Sequence, residues 1–284
     1  MPNESLVRLT GFLSIFIFMA LWEVLAPRRP LTTSKPQRWF SNLSIVFLNT
    51  FVIRLFFSTQ AVGWAIIVNQ KGWGVFHLMG WSGGMAGIAA VVILDLALYF
   101  QHVLFHAVPF LWRFHMMHHA DLDVDVTTGA RFHPIEIILS MVIKLAAVAL
   151  VGAPPLAVLL FEVLLNATSM FNHSNVRMPK GLDIVLRWVV VTPDMHRIHH
   201  SVIQDETNSN FGFNLPWWDR LLGTYSTNPE KGQIGITLGL NQFRNPERLT
   251  LPWMLMLPFV GKTGNYPLGR NDRQGAIVRK QTGG

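Results

Sequence analysis

Residues 85–119 read MAGIAAVVILDLALYFQHVLFHAVPFLWRFHMMHH, and this stretch decides the fold. Its first part is an apolar run long enough for a helix to cross a hydrocarbon core. Polar groups interrupt the run in a regular way. Asp95, Tyr99, His102 and His106 follow spacings of 4, 3 and 4, which puts them on one helical face. Beyond Pro109, His115, His118 and His119 repeat that logic at i, i+3 and i+4. A membrane helix that ends in histidines and runs on into more of them predicts a metal centre at one membrane face.

The chain outside this stretch agrees. Half of its 284 residues are hydrophobic and only 14% are charged, with a mean hydropathy of +0.33. An ordinary soluble domain carries about a quarter charged residues. Apolar segments at residues 6–26, 43–68, 135–151 and 156–171 join the one at 85–106. Arg28 and Arg29 follow the first without a small-residue cleavage site, which predicts a retained anchor. Arg54 interrupts the second and snorkels or faces other helices. Gly152-Ala153-Pro154-Pro155 separates the last two, each a little short for a full span, and predicts a tight helical hairpin. The sequence therefore predicts an all-α integral-membrane protein with about four transmembrane helices: two, a third, and the hairpin. Beyond His173 the chain is more polar and reads as a histidine-rich soluble cap. Three parts follow: residues 1–84 with the N-terminal helices, 85–226 with the histidines, and 227–284 as a C-terminal tail.

Charge sets an orientation. Arg28, Arg29, Lys35 and Arg38 lie between the first two segments with no acidic residue among them, whereas the loop at 70–84 has only Lys71. The positive-inside rule places residues 27–42 in the cytoplasm, and counting spans then brings every clustered histidine to that side. The net charge of +7 forms no long basic run, so nucleic acid is not expected. With no cysteine, any metal must be held by nitrogen and oxygen.

Ten of the eleven histidines lie between His102 and His200. His196, His199 and His200 form a second triplet after Thr192-Pro193-Asp194, where Thr192 can cap a helix and Pro193 can occupy its first position. His133 and His173 stand alone at the ends of the hairpin helices, and His77 reads as an ordinary core or interface residue. One ion takes about four to six ligands, and imidazole suits iron, zinc and copper, so eight to ten imidazoles suit two ions. Polar stripes on the hairpin helices (His133, Glu136, Ser140, Lys144; Glu162, Asn166, Ser169, His173) point toward the same end. Asp95, Glu136 and Glu162 are candidates to orient metal-bound imidazoles, simple helix–helix hydrogen bonding being the alternative. A metal transporter or a non-catalytic metal-binding membrane protein would also cluster histidines. The concentration of these at helix ends, rather than along a path, argues for chemistry instead. A zinc protease is disfavoured because there is no His-Glu-x-x-His.

The motifs His102-x3-His106, Leu111-Trp112-Arg113-Phe114-His115-x2-His118-His119, Arg131-Phe132-His133-Pro134 and Thr192-Pro193-Asp194-Met195-His196-x2-His199-His200 together resemble the fatty acid hydroxylase/sterol desaturase superfamily. Asn210-Phe211-Gly212 and Trp218-Asp219-Arg220-Leu221-Leu222-Gly223-Thr224-Tyr225 resemble its closing signature. The resemblance covers about residues 85–226. It implies a membrane-bound di-iron centre that uses O2 and two external electrons to hydroxylate an unactivated C–H bond of a fatty acyl, sterol or related lipid. Desaturation on the same scaffold is the alternative. The ligands it implies are His102, His106, His115, His118, His119, His196, His199 and His200, together with His173 and the less regular His133. It implies a separate electron donor (a ferredoxin, cytochrome or reductase), which the basic residues Lys262, Arg270, Arg273, Arg279 and Lys280 could attract; anionic lipid is their other reading. A multi-pass protein of the bacterial inner membrane, or alternatively of the endoplasmic reticulum, with its active site on the cytoplasmic side, is expected. Asp219 and Arg220 are expected to pair and brace the cap. Phe100, Phe105, Met116 and Met117 are candidates to line the lipid's path, core packing being the alternative.

Overall fold

Every long apolar stretch forms an α-helix, because hydrocarbon offers the backbone no hydrogen-bond partner but itself. The computed structural model describes residues 4–268, and among these there is no β-strand, only the isolated bridges Pro27–Val176 and Ser201–Leu238. The chain runs α1 (Glu4–Leu25), α2 (Lys35–Phe56), α3 (Ala61–Lys71), α4 (Val75–Leu78), α5 (Gly83–Ala107), α6 (Pro109–His119), α7 (Pro134–Val151) and α8 (Pro155–Asn172). It continues through α9 (Lys180–Leu186), α10 (Pro193–His199), α11 (Gln204–Thr207), α12 (Trp217–Leu222), α13 (Gly232–Gly235) and α14 (Leu251–Val260).

Among the described residues, five helical stretches are long and apolar enough to cross a membrane: Glu4–Leu25, Lys35–Leu78, Gly83–Ala107, Pro134–Val151 and Pro155–Asn172. They number five where about four were expected, and the chain is a multi-pass membrane protein. The last two do not form the expected tight hairpin: α3 and α5 each pack against both α7 and α8, which hardly touch one another. The second stretch departs from expectation in detail. It begins at Lys35, with Pro36 in its first turn, and breaks between α2 and α3. Phe57 and Gln60 are both extended there, on either side of Ser58 and Thr59.

The turn between α7 and α8 comes at the predicted glycine. Gly152 sits at φ 75, a left-handed position, and ends α7. A Cβ on Gly74 would lie 2.2 Å from the Gly152 nitrogen, so this pair of glycines lets the α3–α4 region cross the turn backbone to backbone. His77 lies against the same turn, far from the other histidines in the chain. Around it, Ala61, Ala65, Ala86, Ala90, Ala153 and Ala157 sit in one buried cluster with Phe76 and Phe161. Small residues allow this close helix packing, which is what holds helices together in lipid.

α8 is the hub. It packs on α1, α3 and α5 along its length and on α10 at its far end. At the histidine end a second cluster joins α2, α6 and α14 through Ile45, Trp112, Met116, Met117, Met254 and Leu257. Met116 and Met117 are therefore core residues, as is Phe105, whereas Phe100 is exposed on α5. The stretch read as a C-terminal tail packs on the body: α14 lies against α2 and α6, Tyr266 is buried, and Leu268 N donates to His106 O. Arg270, Arg273, Arg279 and Lys280 lie outside the described residues.

The basic segment that set the orientation has another use. Arg38 is fully buried, donating to Asp121 (2.7 and 2.9 Å) and Asp125 (2.7 Å). Arg28 pairs with Asp194 at 2.9 Å, and Arg29 donates to Ile236 O at 2.8 Å. Arg28 and Arg38 thus tie the α1–α2 loop and the start of α2 to the histidine-bearing segments.

Candidate metal centre

Nine of the ten clustered histidines converge. They form two groups: His102, His106, His115, His119 and His199; and His118, His173, His196 and His200. Within each group the ligand nitrogens lie within 4.8 Å of one another, and every residue is buried.

Helix geometry explains the partition. α5 supplies His102 and His106 one turn apart, and Pro109 starts α6 immediately afterwards. On α6, His115 and His119 (i, i+4) share the first group, while His118 turns to the second. On α10, His196 and His200 (i, i+4) share the second group, while His199 turns to the first. Each triplet thus divides two to one, in opposite senses. The spacing alone had put all three imidazoles of a triplet on one face; in three dimensions α6 and α10 bridge two centres. Thr192 caps α10 as expected, its oxygen accepting from Met195 N at 3.4 Å. His173 caps the end of α8.

Six of the nine rings are oriented through Nδ1. His102 faces Phe211 O (2.7 Å), His106 faces Asn208 Oδ1 (3.1 Å), and His115 faces Glu136 Oε1 (2.6 Å). His118 faces Arg131 O (3.2 Å), His173 faces Ser169 O (2.8 Å), and His199 faces Ser209 O (2.8 Å). Carbonyl and carboxylate oxygens only accept, so each of these Nδ1 atoms carries the proton and each Nε2 keeps a lone pair. The same tautomer follows for His106 with its Asn208 oxygen. Those lone pairs point inward. The Nε2 atoms of His102 and His115 meet at 3.2 Å, and those of His118 and His173 at 3.1 Å. Neither pair can hydrogen-bond, since both protons are already donated elsewhere. The inward nitrogens of His106 and His199 and both ring nitrogens of His119 and His200 are buried with no hydrogen-bond partner. Inward-facing lone pairs of this kind are the donor set of metal ions, so the residues fit two cations.

Burial enforces neutrality. It pushes His118, His119, His196, His199 and His200 well below the usual imidazole range, with neighbouring imidazoles adding to the effect. His173 is lowered to about 4, again mainly by burial. Neutral imidazole is the form that binds a metal.

The three candidate carboxylates separate. Glu136 alone touches a ligand ring, that of His115. Asp95 Oδ2 instead accepts from Trp218 Nε1 (2.8 Å) and Leu215 N (3.3 Å). Glu162 pairs with Lys144 (2.8 Å) and Arg8. His133 stands outside both groups: its Nδ1 accepts from Ile135 N at 3.2 Å, capping α7, and its Nε2 lies 3.3 Å from Leu255 O. Asp219 and Arg220 do not brace the cap as a simple pair. Asp219 accepts from Phe211 N (2.8 Å), Gly212 N (2.9 Å) and Thr224 Oγ1 (2.7 Å), while burial raises it to about 6. Arg220 lies over the Trp188 and Tyr225 rings. Asn210, at φ 53, anchors the same loop by donating to Met195 O and Ser226 O, both at 3.0 Å.

Several supports were not read from the sequence. Four of the six ring-orienting acceptors are backbone carbonyls, which residue identity cannot reveal. Arg131 donates to Met117 O (3.0 Å) and Asn42 Oδ1 (3.0 Å) and offers its own carbonyl to His118. Asp121-x-Asp123-x-Asp125, beginning two residues after His119, was the available signal for the buried Arg38.

The fatty acid hydroxylase family model matches residues 87–224. Ornithine lipid hydroxylase OlsE of Rhizobium tropici is 35% identical over 160 residues, which is 55% of this chain and 47% of that protein. Alkylglycerol monooxygenase of Xenopus tropicalis is 28% identical over 155 residues (53% and 32%), and human cholesterol 25-hydroxylase is 28% identical over 142 residues (48% and 50%). The chain thus spans about half or less of the length of these relatives. No solved structure matches it. The matched segment, a little under half of the chain, carries all nine converging histidines, and through it the chain is similar to the fatty acid hydroxylase family.

Proposed function

We propose that this protein is a membrane-bound di-iron oxygenase that hydroxylates an unactivated C–H bond of a membrane lipid. The observation that carries this reading is the pair of imidazole groups, with protons donated outward and lone pairs turned inward. Two iron ions held there would supply O2 activation and the oxidising power for the C–H bond. The balance is R–H + O2 + 2 electrons + 2 protons giving R–OH + H2O, so an electron carrier such as a ferredoxin, a cytochrome or a reductase is required.

The chain's own residues do the rest. The carbonyls of Phe211, Arg131, Ser169 and Ser209 fix ring orientation, and Glu136 strengthens the donor power of His115 through its Nδ1 proton. Phe211 and Phe213 close the site on one side. Phe211 lies 5.0 Å from the His106 ring and Phe213 lies 5.0 Å from the His102 ring, an apolar wall that would help keep water from a bound lipid. The ligand set of this reading is His102, His106, His115, His118, His119, His173, His196, His199 and His200. Glu136 supports it, and His133, Asp95 and Glu162 serve the scaffold. The relatives are named for an ornithine lipid, an alkylglycerol and cholesterol, all lipids, which supports a lipid substrate. A bacterial inner membrane, with the histidines on the cytoplasmic side, is the accompanying localisation.

The test is to express the chain and its His118→Ala/His199→Ala variant in a host with an endogenous electron carrier, then compare whole-lipid extracts by mass spectrometry. The expected result is a lipid class that gains one oxygen with the parent and not with the variant. Loss of two hydrogens instead would make the chemistry desaturation. No lipid change that depends on the histidines would overturn the reading.

A further inference from the structure

The chain after α10 does not stay on the outer surface of the helical bundle. Thr168 on α8 donates to Asn214 Oδ1, Leu215 N and Trp218 Nε1 both donate to Asp95 on α5, and Tyr99 shares a 2.8 Å hydrogen bond with Thr224. Asp95 lies twelve residues, or about 18 Å of helix, inside the end of α5 at Ala107. It lies seven residues, or about 10 Å, beyond the metal-facing His102. α12 therefore sits beside the middle of a membrane-crossing helix, deeper than the histidines.

The outward side of this region is apolar. On α12, Trp217, Leu221 and Leu222 are 41 to 74% exposed. On and just after α9, Leu182, Ile184, Val185, Trp188 and Val189 are 45 to 63% exposed. The two patches form one surface. Trp217 Nε1 donates to Trp188 O at 2.7 Å, and the Arg220 guanidinium lies 4.2 Å from the Trp188 ring while donating to Arg187 O. Two charged residues turn inward: Asp183 of α9 and Arg187 at its end pair at 2.8 Å and are buried. Exposed Arg177, just before α9, and Lys180, its first residue, lie at the start of this segment. Such a surface would be an aggregation liability in water. Basic residues at its margin and tryptophans within it suit the boundary between headgroups and acyl chains.

We propose that α9 and α12 form a wedge seated in the acyl region of the leaflet on the histidine side, continuous with the lipid-facing surfaces of α5 and α8. The occupant of this apolar face is bilayer hydrocarbon. The wedge also holds the metal centre in register with the membrane, because Asp219 on α12 fixes Phe211 and Phe211 O holds His102. The proposal stands on geometry and does not require the oxygenase reading.

The absence of cysteine makes a direct test simple, since one introduced cysteine takes the only nitroxide label. Leu221→Cys and Val185→Cys would be labelled in the full chain in phosphatidylcholine liposomes. Leu164→Cys, exposed on α8, is the lipid reference, and Asp205→Cys, exposed on α11, is the water reference. Power saturation against O2 and against a water-soluble nickel chelate then reads depth. Labels at 221 and 185 are expected to behave like the one at 164, favouring O2 over nickel. Nickel access at either position equal to that at 205 overturns the proposal. No turnover is measured, so either outcome leaves the enzymatic reading to its own test.

Discussion

The two histidine groups differ in how firmly they are built. In the five-histidine group, four rings are oriented by an acceptor on Nδ1, one of them the Glu136 carboxylate; only His119 lacks one. In the four-histidine group only His118 and His173 are oriented, while His196 Nδ1 and both nitrogens of His200 have no partner. Outward acceptors fix tautomer and ring angle before a metal arrives, and their loss costs about 10- to 100-fold in affinity or activity. The difference teaches that the two sites are unequal. The first is pre-organised with a ligand in reserve; the second depends more on the metal itself to set its rings.

The largest expected effect comes from removing a ligand on each side. His196→Ala leaves three imidazoles in the smaller group and should abolish its metal. His119→Ala leaves four in the larger group and should weaken binding there without abolishing it. Metal content after gel filtration checks both, and equal loss in the two variants would break the asymmetry. Next in size, Glu136→Gln should weaken the five-histidine site by about 10- to 100-fold and leave the other unchanged. Titration of apoprotein with ferrous iron measures this as a shift in one of two binding phases. A smaller effect, of rate alone, is expected with chelator: the four-histidine site should empty first, giving two resolved phases of iron release. The smallest effect on metal belongs to Glu162→Gln, which should leave both sites filled. It should lower the melting temperature, because Lys144 and Arg8 lose their shared counter-ion inside the bundle.

Much of this was legible in the residues. The apolar runs, the Gly152 turn, the Thr192–Pro193 start of α10 and the convergence of nine histidines all follow from local chemistry. The division of each triplet was not, because it depends on how α6 and α10 face one another across the site. Glu136 and Glu162 looked equivalent on their stripes. They part company because Arg8, from a helix 154 residues away in the chain, captures Glu162. His133 precedes a proline in the first turn of α7, and there its ring serves better as a helix cap than as a ligand. Arg38 looked like a membrane-orientation marker until its three buried hydrogen bonds to aspartates appeared.

The central claim is two metal sites divided across the triplets. It is tested most directly by iron per chain in the anaerobically loaded protein and in the His196→Ala variant. About two irons in the parent and about one in the variant are predicted from the ligand count. Fewer than about one iron in the parent, or a variant that binds as much as the parent, would contradict it.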